Sequence, residues 1–449
     1  MNQENSPPWR RARVWLATVA ALALLACGGG GGDADGAVAP SAGVSAGSSA
    51  QSVEVPAALA ASVPQDRQLN VPQGFGIRVW ARLPRARFMA LAPNGDVLVS
   101  VPSEGRIVLL RPGDGALPQA FDLATGLRQP HDMVFYADGS TSWLYFTESN
   151  RVSRVAWQPG QTSMGAPEVV VDGLPDASTV DGYAHELKNI AISADGKLYV
   201  AIASGCNACA EDARATLVRG AIYQYDANGG NGRLLARGVR NAEGLAVLPA
   251  TNALWAAVNN RDEVKVPLNQ DVDGDGSNDL GKLLQSWVDN NPPEPLTAVQ
   301  DGGNYGWPFC NLSADGKTYL RDFDTNADGG LLDCATATPS TLTLPAHSAP
   351  LGMSFLQNTN VAAPLRNGAV IALHGCWNCS SLTAGFKVVF VPFDGGGNPG
   401  APVDLVSGFV TDAQARQVWG RPVDAIADAA GNLLISDDLA GVIYLLYPK

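Results

Sequence analysis

Residues 181–209, DGYAHELKNIAISADGKLYVAIASGCNAC, bring one of the four histidines of the chain, an apolar strand and a Cys-x-x-Cys loop into one short segment. His185 stands just ahead of the strand, where a rigid element fixes a side chain and a loop exposes it. Imidazole is the side chain best matched to taking a hydroxyl proton near neutral pH. A second stretch, Arg237-Gly238-Val239-Arg240-Asn241-Ala242-Glu243-Gly244-Leu245-Ala246, supplies its company. Arg240 offers a fixed cationic fork for a carboxylate or a developing oxyanion, and Asn241 offers donor and acceptor on one amide. Taken singly, each of these residues serves equally well as a hydrogen-bonded loop residue. Chemistry requires that the fold bring them together.

The elements that must do so are strands. From Gln73 onward no segment holds a helical period, while β-branched and aromatic runs bounded by Gly, Asn, Asp and Pro recur. A polar turn followed by an apolar strand repeats: Pro93-Asn94-Gly95 with DVLVSV, Asp138-Gly139 with WLYFTES and Asp195-Gly196 with KLYVAIA. Ala250-Thr251-Asn252 with ALWAAVN, Asn367-Gly368 with AVIALHG and Ala430-Gly431-Asn432 with LLISDD complete the series. Such copies predict an all-β, six-bladed β-propeller of four-stranded antiparallel blades over residues 67–449, with an insertion at about 265–345. The run FGIRVW from Phe75 can join the last blade beside Val442 to Tyr447 and close the ring. In such a ring, loops distant in sequence converge on a central mouth.

Ahead of the ring, Arg10, Arg11 and Arg13 precede the uncharged run Val14 to Leu25, which reads as an export signal over residues 1–26. Leu24-Leu25-Ala26-Cys27 resembles a lipobox, so Cys27 is the expected site of lipidation and the protein is expected to be anchored in a bacterial envelope, facing the periplasm. The Gly, Ala and Ser composition that follows predicts a disordered tether over residues 27–66. A net charge of −13 disfavours nucleic acid and anionic lipid as partners. The six remaining cysteines suggest disulfides: Cys206 with Cys209 and Cys376 with Cys379 close tight loops, leaving Cys310 for Cys334. A four-cysteine zinc site made from the two Cys-x-x-Cys loops is the alternative. Neither loop is followed by His, which excludes a covalent c-type haem on motif grounds.

The motifs VRNAEGLA, ALWAAVNNRDEV, Gly302-Gly303-Asn304-Tyr305-Gly306-Trp307-Pro308 and Ala346-His347-Ser348-Ala349-Pro350-Leu351-Gly352 resemble, in order, those of the glucose/sorbosone dehydrogenase family. HGCWN at His374 and WGRPVDAI at Trp419 are most similar to its sorbosone dehydrogenase branch. The resemblance runs from about Val71 to the end. It implies a six-bladed propeller using pyrroloquinoline quinone (PQQ) and calcium to oxidise an aldose or aldehyde-sugar, with electrons passed to a separate acceptor such as a cytochrome or quinone. It further implies His185 as the general base and Arg240 and Asn241 at the quinone oxygens. Arg421 would pair a PQQ carboxylate, Tyr305 and Trp307 would line the sugar and cofactor faces, Trp377 would lie at the cofactor, and backbone carbonyls near Asn259 and Asn260 would hold calcium. Two positions depart from the family pattern: Cys379 and Trp419 stand where related sequences carry arginine.

The long insertion adds carboxylates. Asp271, Asp273, Asp275 and Asp279 alternate around turn glycines like a calcium loop, although Lys282 stands where an EF-hand needs its bidentate Glu. Asp324, Asn326, Asp328 and Asp333 repeat the pattern less cleanly. Two other readings of the chain are a cofactor-free, lipid-anchored binding module and a metal-dependent sugar lactonase, whose metal would need carboxylates at the mouth.

Overall fold

The computed structural model describes residues 47–113 and 117–449. The leader and Cys27 lie outside the described residues. Among those described, six four-stranded antiparallel sheets follow one another along the chain, with almost no helix. Blade 1 begins at Met89–Leu91, blade 2 at Met133–Asp138, blade 3 at Asn189–Ile192, blade 4 at Asn241–Leu248, blade 5 at Pro350–Phe355 and blade 6 at Pro422–Ala427. The fourth strand of blade 6 comes from the other end of the chain. Phe75–Arg82 pairs antiparallel with Val442–Pro448, from Phe75 opposite Pro448 to Arg82 opposite Val442. The expected six-bladed ring and its clasp are therefore both present.

The repeated apolar segments turn out to be the second strands of their blades, not the innermost ones. Val97–Val101, for example, lies between the first and third strands of blade 1 and is buried along its whole length. A central strand covered on both faces needs an unbroken apolar run, which is why it is the strand the repeat displays. The first strands instead line an axial channel of about 280 Å³, to which Met89, Asp132, Ile190, Leu245, Met353 and Asp424 contribute.

The core is divided among the blade interfaces. Leu98, Ile107, Leu144 and Phe146 pack between blades 1 and 2, and Ala256, Val258, Leu235 and Ile222 between blades 3 and 4. Val370, Phe390, Ile435 and Tyr444 do the same between blades 5 and 6. Every blade buries both faces only when it has two neighbours.

The expectation of a disordered tether to residue 66 fails for the part described. Ser48–Ser52 pairs with Gln68–Pro72, Val53 is buried, and Glu54 bridges to Arg78 on the outer edge of the clasp strand. The segment has no apolar pattern to announce a strand, but edge pairing needs only backbone N–H and C=O groups. The span 265–345 is likewise not one loop. It contains the third and fourth strands of blade 4, Glu294–Ala298 and Leu342–Leu344, with excursions on either side of the former.

Candidate functional site

Antiparallel blades put the start of each first strand and the end of each second strand on the same face, as the pairing of Asn241 with Asn259 and Pro350 with Leu373 shows. All four histidines, His131, His185, His347 and His374, stand in loops on that face. A cavity of about 620 Å³ opens there, lined by Arg85, Arg87, Pro102, Ser103, Gln129, Leu187 and Asp438.

His185 precedes Asn189–Ile192 and is half-buried. Its Nδ1 lies 3.0 Å from both the carbonyl oxygen and Oγ of Ser204. A carbonyl only accepts, so Nδ1 carries the hydrogen and Nε2 keeps the lone pair. Burial first, then the Arg240 charge, lowers its pKa to about 4, and the bond to Ser204 does not offset them. The imidazole is neutral at physiological pH and ready to accept a proton.

Arg240 is only 5% exposed. Its guanidinium donates to the Asn207 carbonyl (3.3 Å) and side-chain oxygen (3.1 Å), to Asp262 Oδ2 (3.2 Å) and to the Asn259 carbonyl (3.4 Å). Asp262 also meets His347 Nδ1 at 3.2 Å, and His347 Nε2 reaches the Val288 carbonyl at 2.7 Å. Burial raises the Asp262 carboxyl, but the bond from His347 and the Arg240 charge outweigh it and leave the pKa below its ordinary value. Burial pushes Glu294, which accepts from the Asn260 amide, up to about 7.

Asn241 donates to the buried Glu243 (3.3 Å), which also meets His131 Nε2 at 3.1 Å. Burial opposes ionisation of Glu243, but the His131 contact, the Arg87 charge and the Asn241 amide hold its pKa down to about 2. His131 is kept neutral by burial. Across the mouth, Arg421 donates to the carbonyl (3.1 Å) and Nδ1 (3.0 Å) of His374, whose Nε2 meets Asp438 at 3.0 Å. Arg87 completes this group with a 2.9 Å bond to Asp438, while its Nε is buried without a partner.

Several expected site residues lie elsewhere. Tyr305 is 5% exposed in the core between blades 3 and 4, with its hydroxyl donating to the Ala298 carbonyl and accepting from the Gln300 amide. It does not line the mouth, because a large ring beside Gly303 fills the space between blades. Trp307 is also buried, and its indole donates to the Asn207 carbonyl at 3.0 Å, behind Arg240. Trp377 is 67% exposed and so is not packed on a cofactor cleft. Its loop is tied down by Cys376–Cys379 and by Arg416, which donates to the carbonyls of Cys376, Trp377 and Cys379. The other two bridges are Cys206–Cys209 and Cys310–Cys334, as the spacing suggested, so the zinc alternative does not arise.

Asp271, Asp273 and Asp275 each offer an oxygen within 4.8 Å of the others, on an exposed loop. Asp279 is not part of the trio; its carboxylate pairs with Lys282 and accepts from the Val272 amide. Asp324 is engaged by Arg261 and Lys265, and Asn326 holds the Phe309 and Leu332 carbonyls, so the second acidic stretch forms no such cluster. Asn259 and Asn260 do fall at the mouth, their side chains bonded to the Pro350 and Pro293 carbonyls.

The residues present fit the groups the sequence implied. Arg85, Arg87 and Arg421, with one guanidinium nitrogen orphaned, suit an anion bearing several carboxylates. The Asn259 carbonyl beside Asp262 and Glu294 is the hard-oxygen chemistry that calcium takes. Asn207, Asp262, Glu243, His374 and Asp438 were not singled out from the sequence, although several lie inside its motifs. Their role is to hold the others, and no spacing rule marks that.

A model of the TrAA12-like family matches residues 69–449. A pyrroloquinoline quinone-dependent sugar dehydrogenase of Hypocrea jecorina (strain QM6a) is 26% identical over 239 residues, 48% of each chain, so the match spans about half the length of that relative. The iodide structure of a Trichoderma reesei Carbohydrate-Active Enzymes Family AA12 protein superposes with a TM-score of 0.69 at 21% identity, covering 84% of this chain and 97% of that one. The holo form of the pyranose dehydrogenase PQQ domain from Coprinopsis cinerea gives 0.69 at 21% identity, covering 88% and 99%. At such identities the superpositions speak for the fold, and the family match speaks for descent. The chain belongs to the TrAA12-like family.

Proposed function

We propose that this protein is a PQQ- and calcium-dependent dehydrogenase that oxidises an aldose or aldehyde-sugar and passes the electrons to an external acceptor. The observation that carries the reading is His185, neutral and with a free Nε2 lone pair, set beside a buried Arg240 on a face lined by arginines. The names of the relatives, a sugar dehydrogenase and a pyranose dehydrogenase domain, support it.

When bound, PQQ supplies a two-electron hydride acceptor and calcium supplies a Lewis acid that polarises it. His185 Nε2 takes the proton of the sugar hydroxyl as the carbon gives up its hydride, so the substrate leaves as a carbonyl compound two electrons more oxidised. Arg240 holds a fixed positive charge where negative charge develops, and the fully bonded guanidinium costs no reorganisation. Arg87 and Arg421 would bind the carboxylates of the cofactor, and the Asn259 carbonyl and Glu294 would offer oxygens to calcium.

The test is reconstitution. Purified protein with PQQ and calcium should reduce a dye with at least one aldose, and chelation should abolish it. A folded protein that shows no dye reduction with any sugar would sink the reading. The lactonase alternative needs carboxylates converging on the mouth as a metal cage. Among the described residues the one acidic trio is on the exposed insertion instead.

A further inference from the structure

The loop between the second strand of blade 3 and the short helix Ala210–Arg214 touches both the base and the arginine. Ser204 accepts from His185 Nδ1 and, with its own amide, donates to the Arg240 carbonyl at 2.7 Å. Three residues later Asn207 makes five hydrogen bonds. Its carbonyl accepts from Arg240 Nε (3.3 Å) and the Trp307 indole (3.0 Å), and its Oδ1 accepts from Arg240 Nη2 (3.1 Å) and the Asp262 amide (2.9 Å). Its Nδ2 donates to the Asp262 carbonyl at 2.8 Å. An amide side chain offers an acceptor oxygen and a separate donor nitrogen at once. The loop itself is doubly fastened, by the Cys206–Cys209 disulfide that brackets Asn207 and by buried Asp212, which accepts from the Gly205 amide and pairs with Arg219.

We propose that Asn207, held by the Cys206–Cys209 disulfide, is a positioning residue that sets Arg240 relative to His185, and that the site binds PQQ productively only with this bracket intact. The inference rests on the proposed function for its PQQ readout, but the geometry it describes belongs to the protein alone. Asp262 approaches the guanidinium from one side and Asn207 from the other. Arg240 has four acceptors, and removing the Asn207 amide or the Asp262 carboxylate takes one of them from a buried cation, which is then free to leave its place beside His185. The disulfide keeps that cost from being relieved by loop movement.

The experiment compares wild type with Asn207→Ala, Asn207→Asp and the Cys206→Ser/Cys209→Ser double variant, each in the full chain. Equilibrium PQQ affinity is measured by quenching of protein fluorescence, and kcat and KM for the sugar by dye reduction. Asn207→Ala should weaken PQQ affinity about tenfold or more and lower kcat, with KM for the sugar changing less than about threefold. Asn207→Asp keeps the acceptor for Arg240 and the Asp262 amide, and should recover most of the affinity. The double serine variant should fall between them. In the apo protein, NMR titration of the four histidines supplies a reading that needs no cofactor. His185 faces Arg240, Glu243 and Asp262, so relaxation of Arg240 in Asn207→Ala should raise its titration midpoint by about half a pH unit or more. If wild type binds no PQQ, the functional reading fails and the histidine titration alone decides the inference. Affinity and kcat within twofold of wild type in Asn207→Ala, an unmoved His185 midpoint, or equal losses in the Ala and Asp variants that merely track thermal stability would each overturn it.

Discussion

Acidification should silence the proposed activity much later than an ordinary histidine base would allow. With a pKa near 4 rather than 6.5, His185 is about 90% neutral at pH 5, against about 3% for an unperturbed imidazole, a difference of roughly thirtyfold in competent enzyme. The cause is burial, reinforced by the Arg240 charge, and the displacement corresponds to about 3 kcal/mol. The sign also fixes a stability effect. Between pH 6.5 and 4 the unfolded chain binds a proton at this position and the folded one does not, so stability falls as pH drops through that window and is unaffected by His185 above it. The assay is kcat/KM of the PQQ- and calcium-loaded protein from pH 3.5 to 8 at constant ionic strength, which reports the free enzyme's base. The acid limb should bend near pH 4. His185→Gln should lose about 10²–10⁴-fold at every pH and should lack the added loss of stability on acidification. An acid limb bending near 6.5, or a Gln variant with wild-type activity, would refute the assignment of the base and of the environment that tunes it.

Other expectations follow from single contacts. Glu243→Ala removes the buried acceptor shared by His131 and Asn241, leaves two neutral donors unsatisfied and should cost about 1–3 kcal/mol in denaturant unfolding, with Glu243→Gln costing clearly less. Ile77→Ala, on the clasp strand opposite Leu446 and fully buried, should destabilise by about 2–5 kcal/mol without changing KM for the sugar. Cys27→Ser should abolish incorporation of labelled palmitate and release the protein from the membrane fraction; retention with label would sink the lipid anchor.

The ring was legible because its signal is periodic. Each second strand must be apolar on both faces and must follow a tight turn, so six copies of turn plus run appear in the sequence whatever the loops do. Arg240, Asn241 and Asn259 are singled out chiefly by the resemblance to the glucose/sorbosone dehydrogenase family, and the fold puts all three at strand ends on the mouth face. The rest obeyed forces that leave little trace in one chain. The family resemblance puts Tyr305 at the sugar and cofactor faces, yet its ring is the filler between two blades. Trp377 looks like a cleft residue by its neighbours and is exposed by the geometry of the Cys376–Cys379 loop. Ser48–Ser52 pairs through its backbone, and backbone pairing is silent about side chains. Asn207 lies in plain sight between two cysteines, but its importance comes from Arg240 and Asp262, which are far along the chain and meet it only after folding.

The clasp has a consequence for how the molecule can be cut and rejoined. Phe75 and Pro448 lie opposite each other, and the Lys449 amide donates to the Gly74 carbonyl at 2.8 Å, so the two ends of the ring meet in one sheet. A short linker could join them, and new termini could be opened at an exposed turn such as Asp138-Gly139 without unpairing any strand. The same geometry makes the uncut protein vulnerable at one place. The mouth draws His131 from blade 2, His185 from blade 3, Arg240 from blade 4, and His374 and Arg421 from the borders of blades 5 and 6. A single nick that frees residues 75–82 would leave every one of those side chains intact, yet it would open the ring that keeps them facing one another.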